Sequence, residues 1–285
     1  MNQDWYEHNK KTNFILNLET HFGHIEPESN LRGYHGISLN DAEFTQTLRH
    51  SVFESLIDIE VQQDRLIELT GLLETGFSQS ENLLADIQAL ESAEPEDIRD
   101  WRIGEALAEV VLEENFQCRF HWNELRDARN PRGNKTGADL VGFIEYESNV
   151  LFLFGEVKTS SETTNRPPQV MTKADGIENQ LKDLYNNRNK RQILITYLKS
   201  KTRDLSDLHP FKVDYNLALR SYYANSQSYQ LIGVLVRDVD ADHRDVSVSY
   251  NRIKTTILSP IGLKLIAVYT TIQKSNWRNI LTNNI

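Results

Sequence analysis

The sequence predicts an α/β fold in which helices flank a mixed β-sheet, preceded by a mainly helical acidic region. Three observations predict it. Apolar runs typical of buried strands alternate with segments of helical periodicity from residue 98 onward. Before that point the periodicity is helical, and the break SAEPED at residues 92–97 separates the two parts. The 285 residues suffice for one large domain or two smaller ones. We therefore predict an N-terminal region over residues 1–97 and an α/β domain over residues 98–285.

The N-terminal region is predicted to be helical from Asn40 onward. Asp41 and Glu43 lie in the first turn, where acidic side chains favour a helix. Apolar residues then follow at helical spacing: Phe44, Leu48, Val52, Leu56 and Ile59. Further helix is predicted through Leu66, Leu69 and Leu73 and over residues 83–90, with a break at GFSQS (76–80) and an end at Pro95.

The second part alternates between helix and strand. The predicted order is a helix at 101–114, a strand near 117–122, a polar loop at 123–136, strands at 138–146 and 150–158, a helix at 177–187, a segment at 191–201 that fits helix or strand, a helix at 213–224, and strands at 229–239 and 262–271.

The net charge of −10 conceals two different parts. Residues 1–100 carry 6 Lys and Arg against 20 Asp and Glu, whereas residues 101–285 carry 25 against 21. The acidic part is expected to bind a protein partner or to restrain the second part. The positive balance of the second part is compatible with a nucleic acid.

Several classes of protein are disfavoured by composition. No apolar run approaches the roughly 20 residues of a membrane span, and the start lacks the apolar segment of a signal peptide, so we expect a cytoplasmic protein without a membrane partner. The single cysteine, Cys118, excludes an internal disulfide framework and a cysteine-built zinc site, and it is expected to be a buried core residue.

Chemistry is expected where an apolar strand ends in charged residues. The run Val150 to Phe154 is followed by Glu156 and Lys158, which share one face because side chains alternate along a strand. The sequence YESNV at 146–150 predicts a tight hairpin with Ser148 and Asn149 at its turn. An even number of loop residues places Asp139 on the face of Glu156 and Lys158, whereas an odd loop or a bulge sends it to the other face.

Two carboxylates this close repel each other unless a counter-charge lies between them. Oxygen ligands without Cys or His favour Mg²⁺ or Mn²⁺, with waters and a backbone carbonyl, that of Val157, completing the shell. Such an ion lowers the pKa of a bound water and neutralises charge on a phosphoryl oxygen. Lys158 would add a positive charge at the reacting group.

These residues resemble the PD-(D/E)XK superfamily of restriction-endonuclease-like nucleases. The resemblance rests on Gly137-Ala138-Asp139, a 16-residue gap, Glu156-Val157-Lys158 and an upstream helix that carries Glu105, and it covers roughly residues 100–270. It implies an active site on a two-stranded hairpin, with Asp139 and Glu156 as metal ligands, Lys158 as the catalytic lysine and Glu105 as an additional acid. Ala138 stands where the motif has proline.

The resemblance also carries expectations beyond the motif. Many members have a functional Gln or Tyr on the helix after the lysine, and Gln180 and Tyr185 lie in that region. An acidic helical segment before a small nuclease core is similar to the stand-alone nuclease subunits of bacterial anti-phage systems, such as the Hachiman type, which work with a helicase. A helicase or another ATPase is therefore an expected partner.

Other residues have two interpretations. Glu105 shares a helical stripe with Trp101, Ala108 and Leu112, which read as buried, yet it borders the polar face, so it is either a ligand or a solvated acid. The loop at 123–136 is either a phosphate-contacting loop or a solvated one, on the basis of Arg126, Arg129, Arg132 and Lys135. Histidines 21 and 24 are expected to be surface or core residues, and tyrosines 222 and 223 core residues, rather than site residues.

The leading functional hypothesis is a Mg²⁺-dependent nuclease acting on DNA. One alternative is a non-catalytic nucleic-acid-binding or scaffold subunit that keeps the fold without the reaction. Another is a metal-dependent enzyme acting on RNA or a different phosphate substrate.

Overall fold

A seven-stranded mixed β-sheet organises the computed structural model, which describes residues 16–56, 100–121, 137–203 and 205–282 and short helical pieces at 66–67, 69–71, 83–84 and 87–88. The strands found in these residues are β1 (Glu19–Glu26), β2 (Ser29–Leu39), β3 (Cys118–Arg119), β4 (Leu140–Tyr146), β5 (Asn149–Ser160), β6 (Tyr229–Arg237) and β7 (Gly262–Thr270). Their order across the sheet is β1-β2-β7-β6-β5-β4-β3. The four central strands, β2, β7, β6 and β5, are parallel, and antiparallel strands flank them on both sides.

Helices cover both faces of this sheet. Their bounds are α1 (Asp41–Thr47), continued by a π-helical turn (Leu48–Val52) into α2 (Phe53–Leu56), then α3 (Asp100–Asn115), α4 (Gln169–Thr172), α5 (Ile177–Asn186), α6 (Arg188–Lys201), α7 (Pro210–Ala224), α8 (Arg244–Ile253) and α9 (Trp277–Thr282), with a 3₁₀ turn at Lys274–Asn276. The mixed α/β class predicted from the sequence is thereby confirmed.

Two hydrophobic cores lie on opposite faces of the sheet. Phe152 and Phe154 of β5 point into a core formed with helices α4 to α8. Leu153 and Val157 point into the other, formed with α1, α3 and α9. Strand β6 contributes to both cores and is buried along its whole length, as expected for a central parallel strand.

Strands β1 and β2 were not predicted. Both come from the region expected to be mainly helical, and β2 pairs with β7 over Arg32 to Leu39, so residues on both sides of position 97 share one sheet. The guanidinium of Arg32 reinforces this connection by donating to the carbonyls of Ile257 (2.7 Å) and Ile261 (2.5 Å).

The helical predictions are met in part. Helix α1 begins after Asn40, whose side chain accepts a hydrogen bond from the Glu43 N–H, as predicted. The ambiguous segment at 191–201 is helical in α6. Helices α4, α8 and α9 were not predicted. The breaks at 76–80 and 92–97 and the basic loop residues Arg126, Arg129, Arg132 and Lys135 lie outside the described residues. Within the part of the chain that is described, no helix is both long and apolar enough to cross a bilayer.

Candidate active site

A two-residue turn fixes the register of the β4–β5 hairpin. Glu147 and Ser148 have φ values of 47° and 63°, the left-handed conformation that tight hairpins use at both central positions. The turn therefore lies one residue earlier than predicted. Pairing then runs from Tyr146 with Asn149 to Leu140 with Gly155 without a bulge. The loop is even, as the prediction requires, and Asp139 itself lies one residue before β4, outside this ladder.

Asp139 lies directly before β4 and is held against β5. Its N–H donates to the carbonyl of Gly155 (3.0 Å), and its Oδ2 accepts a hydrogen bond from the N–H of Val157 (3.0 Å). The Asp139 carboxylate therefore accepts the Val157 hydrogen bond that a backbone carbonyl would accept if β4 began two residues earlier. This anchoring holds Asp139 beside the strand segment that carries Glu156 and Lys158.

Glu156 and Lys158 form an ion pair next to Asp139. The Nζ of Lys158 contacts Oε1 of Glu156, and the two side chains are 23% and 8% exposed, respectively. Burial, followed by the negative charge of Asp139, raises the pKa of Glu156 to about 7, and Lys158 partly offsets this rise. The three side chains proposed from the sequence are therefore together, in a site where negative charge is in excess.

The main-chain groups of Val157 face the side of β5 on which Asp139 lies. The carbonyl of Gly155 points towards β4, because it accepts from Asp139. The main-chain groups two residues further along an extended strand point to the same side, and the Val157 N–H bound by Asp139 agrees with this. The carbonyl of Val157 is thus directed to the side of β5 on which β4 has ended.

Glu105 is a buried residue rather than a solvated one, because its exposed fraction is 6%. The preceding residue, Gly104, packs on β5 so closely that a Cβ there would lie 2.3 Å from Oγ1 of Thr159. Glu105 therefore lies at the level of the end of β5 that carries Lys158, on the helix that covers the face opposite to Glu156.

The stripe predicted for α3 is wrong at Trp101, which is exposed. Glu109, which lies outside that stripe, is buried. The reason is that the middle of α3 is enclosed on all sides, by the sheet and by the α1 and α9 segments, so its burial does not follow a single face.

Lys190 is a neighbour of the site that sequence reasoning missed. Gly137, two residues before Asp139, has a φ of 104°, and a Cβ there would lie 2.5 Å from Cε of Lys190. The Nζ of Lys190 donates to Asp183 (2.8 Å) and to Gln180 (3.5 Å). Gln180 thereby connects to the backbone that leads into Asp139. Apart from the glycine itself, the sequence contains nothing that predicts a positive φ at Gly137.

Tyr185 and Gln180 differ in their surroundings. Tyr185 packs on the hydrophobic core, and its carbonyl accepts a hydrogen bond from Arg191 (2.6 Å). Gln180 is half-buried and contacts the lysine described above. Of the two helix residues raised by the resemblance, Gln180 is the one linked to the segment that carries Asp139.

Two arginines fix the loop that follows Lys158. Arg237, which is fully buried at the end of β6, donates to the carbonyl of Glu162 (2.5 Å). Arg166 donates to the buried carboxylate of Asp245 (2.5 Å) and to the carbonyl of Asp240 (3.2 Å). Burial lowers the pKa of Arg237. This network ties the loop after β5 to helix α8 and was not foreseen from the sequence.

The remaining candidates have structural roles. Cys118 is buried as predicted, and burial raises its pKa to about 12. The Nε2 of His21 lies 2.9 Å from Oγ of Ser38, and the ring of His24 lies 5.3 Å from that of Tyr34. Tyr222 is a core residue, whereas Tyr223 is 65% exposed, so the expectation for that tyrosine is wrong.

Comparison of the chain with protein-family models, curated proteins and solved structures finds no match. In the described part of the chain, no group of three or more His, Cys, Asp or Glu side chains is arranged to hold a metal ion. The candidate site instead combines two carboxylates, Asp139 and Glu156, with a lysine and a backbone carbonyl.

Proposed function

We propose that this protein is a metal-dependent nuclease that hydrolyses phosphodiester bonds in DNA. The observation that carries the proposal is that Asp139, Glu156 and Lys158 lie together where β5 continues beyond the first residue of β4. The arrangement of these residues on a two-stranded hairpin after a helix also supports a restriction-endonuclease-like core. An apolar strand buried on both faces gives the charged end a rigid support.

The residues at this position fit a hard divalent cation such as Mg²⁺ or Mn²⁺. Asp139 and Glu156 supply carboxylate oxygens, and the carbonyl of Val157 is directed to the same opening. Burial and the neighbouring charge of Asp139 raise the pKa of Glu156, and a bound cation would oppose that rise. When bound, the ion would supply Lewis-acid activation of water and of the phosphate. Glu105 remains a proposed additional acid from α3.

Lys158 has two tasks in this proposal. Its ammonium balances the charge of Glu156 in the metal-free protein. With a phosphodiester in place, the same ammonium would stabilise the negative charge that develops on the phosphate oxygens or orient the attacking water. Its half-buried position beside Glu156 limits screening by solvent, which makes this charge more effective than one on the surface.

The test is cleavage of plasmid and linear DNA with Mg²⁺ by wild type, Glu156→Ala and Lys158→Ala. We expect each variant to lose about 10²-fold or more in rate, the typical effect of removing one transition-state charge contact. Glu147→Gln and Lys173→Met, which change exposed residues outside the site, serve as matched controls and should cut at the wild-type rate. If both site variants cut like wild type, the assignment is wrong.

The proposal extends to a bacterial defence role in which the acidic N-terminal region binds a helicase or another ATPase. Its support is the charge division along the chain and the resemblance to anti-phage nuclease subunits. Purification of the full chain from its native host, followed by mass spectrometry, tests this part. Recovery of the chain without any ATPase would contradict it.

A further inference from the structure

Helix α6 carries an unbalanced positive charge. Its 14 residues include five Lys and Arg and no Asp or Glu, and Arg203 follows two residues after its end. The chain as a whole has a net charge of −10, so this helix departs sharply from its context. A surplus of one sign on one exposed element is the electrostatic feature expected of a surface that binds a polyanion.

The cations of the first turn do not favour the helix dipole, whereas Lys199 and Lys201 in the last turn are favourably placed. Arg188, Lys190 and Arg191 occupy its first turn without any acid. The N-terminal end of a helix dipole is positive, so cations there are unfavourable to the helix. Helix α1 of the same chain follows the ordinary pattern, with Asp41 and Glu43 in its first turn. In the first turn of α6, Lys190 pairs with Asp183 and Arg191 donates to the carbonyls of Leu184 and Tyr185, so the charge left to explain at this end is that of the exposed Arg188.

Part of the charge on α6 is exposed and lacks an acidic partner. Arg188 and Lys199 on α6 and Arg203 just beyond it are exposed, and within the described residues none of the three pairs with an Asp or Glu. The Lys199 ammonium lies 5.3 Å from the centre of the Tyr215 ring. Exposed cations on one element are the feature that binds the phosphates of nucleic acids.

Lys190 connects this surface to the candidate active site. Its aliphatic stem lies against Gly137, two residues before Asp139, while its backbone belongs to the first turn of α6. The first turn of α6 therefore lies beside the segment that carries Asp139, and a chain of phosphates bound at this end of the helix would approach that segment. This proximity favours a nucleic acid over an acidic protein as the occupant.

We infer that Arg188, Lys199 and Lys201 of α6 and Arg203 beyond it form a binding surface for the phosphodiester backbone of a nucleic acid. This inference rests on the proposed function, because the bound strand would be the one presented to Asp139 and Glu156. The surface supplies affinity without reading bases, since its contacts are to phosphates.

The test measures binding of the full chain to duplex and single-stranded DNA oligonucleotides in EDTA, by fluorescence anisotropy over a range of salt concentrations. Lys199→Gln/Arg203→Gln should bind more weakly, with a salt slope reduced by about 1.8 for duplex or about 1.4 for single strands, the counterion release of two phosphate contacts. Lys274→Gln/Arg278→Gln removes the same charge beside α9, on the opposite face of the sheet, and should bind like wild type.

Equal loss in both double variants, or no loss in the first, overturns the inference, as does wild type binding an acidic protein but neither form of DNA. Thermal unfolding of each variant separates a binding defect from a folding defect. Because EDTA prevents metal-dependent cleavage, binding through α6 in a protein that never cuts DNA with Mg²⁺ would uphold this surface and reject the proposed nuclease. DNA cleavage that is unaffected by the α6 substitutions would uphold the proposed nuclease and reject this surface.

Discussion

At the scale of residues, the site is defined by one carboxylate whose environment opposes its charge. Glu156 is 8% exposed in its side chain and lies beside Asp139, and Lys158 is the cation that contacts it among the described residues. Burial of such a charge is costly to the folded protein. This is the position at which the proposed cation would bind.

The raised pKa of Glu156 predicts a pH dependence of stability. The pKa is about 7 in the folded protein against an ordinary value of 4.5, so the folded state favours the protonated form. The contribution of Glu156 to the free energy of unfolding is then fully present below pH 4.5 and declines as the pH rises to about 7. Glu156→Gln removes this decline. Urea unfolding in EDTA should show the variant gaining stability relative to wild type between pH 5 and pH 8; an unchanged difference would contradict this cause.

Glycine is expected to be required at position 137, where the backbone leads into Asp139. With a φ of 104° and Lys190 where a Cβ would stand, Gly137→Ala should destabilise the protein by about 1–2 kcal/mol and reduce cleavage. Gly71→Ala is the matched control, because Gly71 is helical and a Cβ there meets nothing within 4 Å. It should be neutral or add up to about 1 kcal/mol. Urea unfolding of both variants measures the difference, and equal behaviour would be evidence against a special backbone at Gly137.

The core of the site was predictable from the sequence because it is local. Asp139, Glu156 and Lys158 belong to one hairpin, so strand alternation and an even loop predict that they lie close together. Lys190 and Arg237 were missed because they reach the site region from α6 and β6 through tertiary packing. No spacing along the chain encodes such a contact.

At the scale of elements, the close packing of α3 on β5 places Glu105 at the level of the end of β5 that carries Lys158, on the face opposite to Glu156. Gly104 permits this approach, since any side chain there would collide with Thr159. Helix α3 is also covered on its outer side, which explains why ten consecutive residues, Ile103–Leu112, are buried. Such a helix loses the one-sided pattern on which amphipathic predictions depend.

The contact between α3 and β5 gives a prediction with an internal rescue. Gly104→Ala should destabilise the protein by about 1–3 kcal/mol, because its Cβ would meet Oγ1 of Thr159 at 2.3 Å. Thr159→Ala removes that oxygen, so the double variant should recover most of the loss. Urea unfolding of the two single variants and the double variant tests the coupling. A double variant no more stable than Gly104→Ala would show that Thr159 is not the obstacle.

Elements were predicted where periodicity was strong and missed where it was weak. Strands β5, β6 and β7 are long apolar runs. Strand β2 has the sequence SNLRGYHGISL, in which glycines and polar residues break the apolar pattern although β7 buries much of it. Helix α6 could not be assigned from apolar residues alone. Its beginning is fixed by Asn187, whose side chain accepts a hydrogen bond from the Lys190 N–H (3.1 Å).

At the scale of the whole molecule, the N-terminal strands complete the sheet that carries the site. Removal of β2 would expose the edge of β7 and take Leu31, Ile37 and Leu39 from the core beneath α3. This arrangement was not predictable from the charge division or from the break at 92–97, since pairing between β2 and β7 depends on contacts more than two hundred residues apart.

A fragment of residues 98–285 should therefore fail to fold as a stable unit, although it contains every residue of the hairpin site. We expect it to lack a cooperative urea transition and to bind DNA without cleaving it, because β7 would lose its neighbour and the two carbonyls bound by Arg32 would lose their donor. The full chain is the control. A fragment that unfolds cooperatively and cuts DNA would show that residues 16–56 are dispensable for the site.

The most direct measurement is anomalous diffraction from crystals of the full chain grown with Mn²⁺. We expect one strong anomalous peak in contact with the carboxylates of Asp139 and Glu156, on the side of β5 to which the Val157 carbonyl is directed, and loss of that peak in Asp139→Asn. An ordered site with both carboxylates in place and no manganese between them would contradict it.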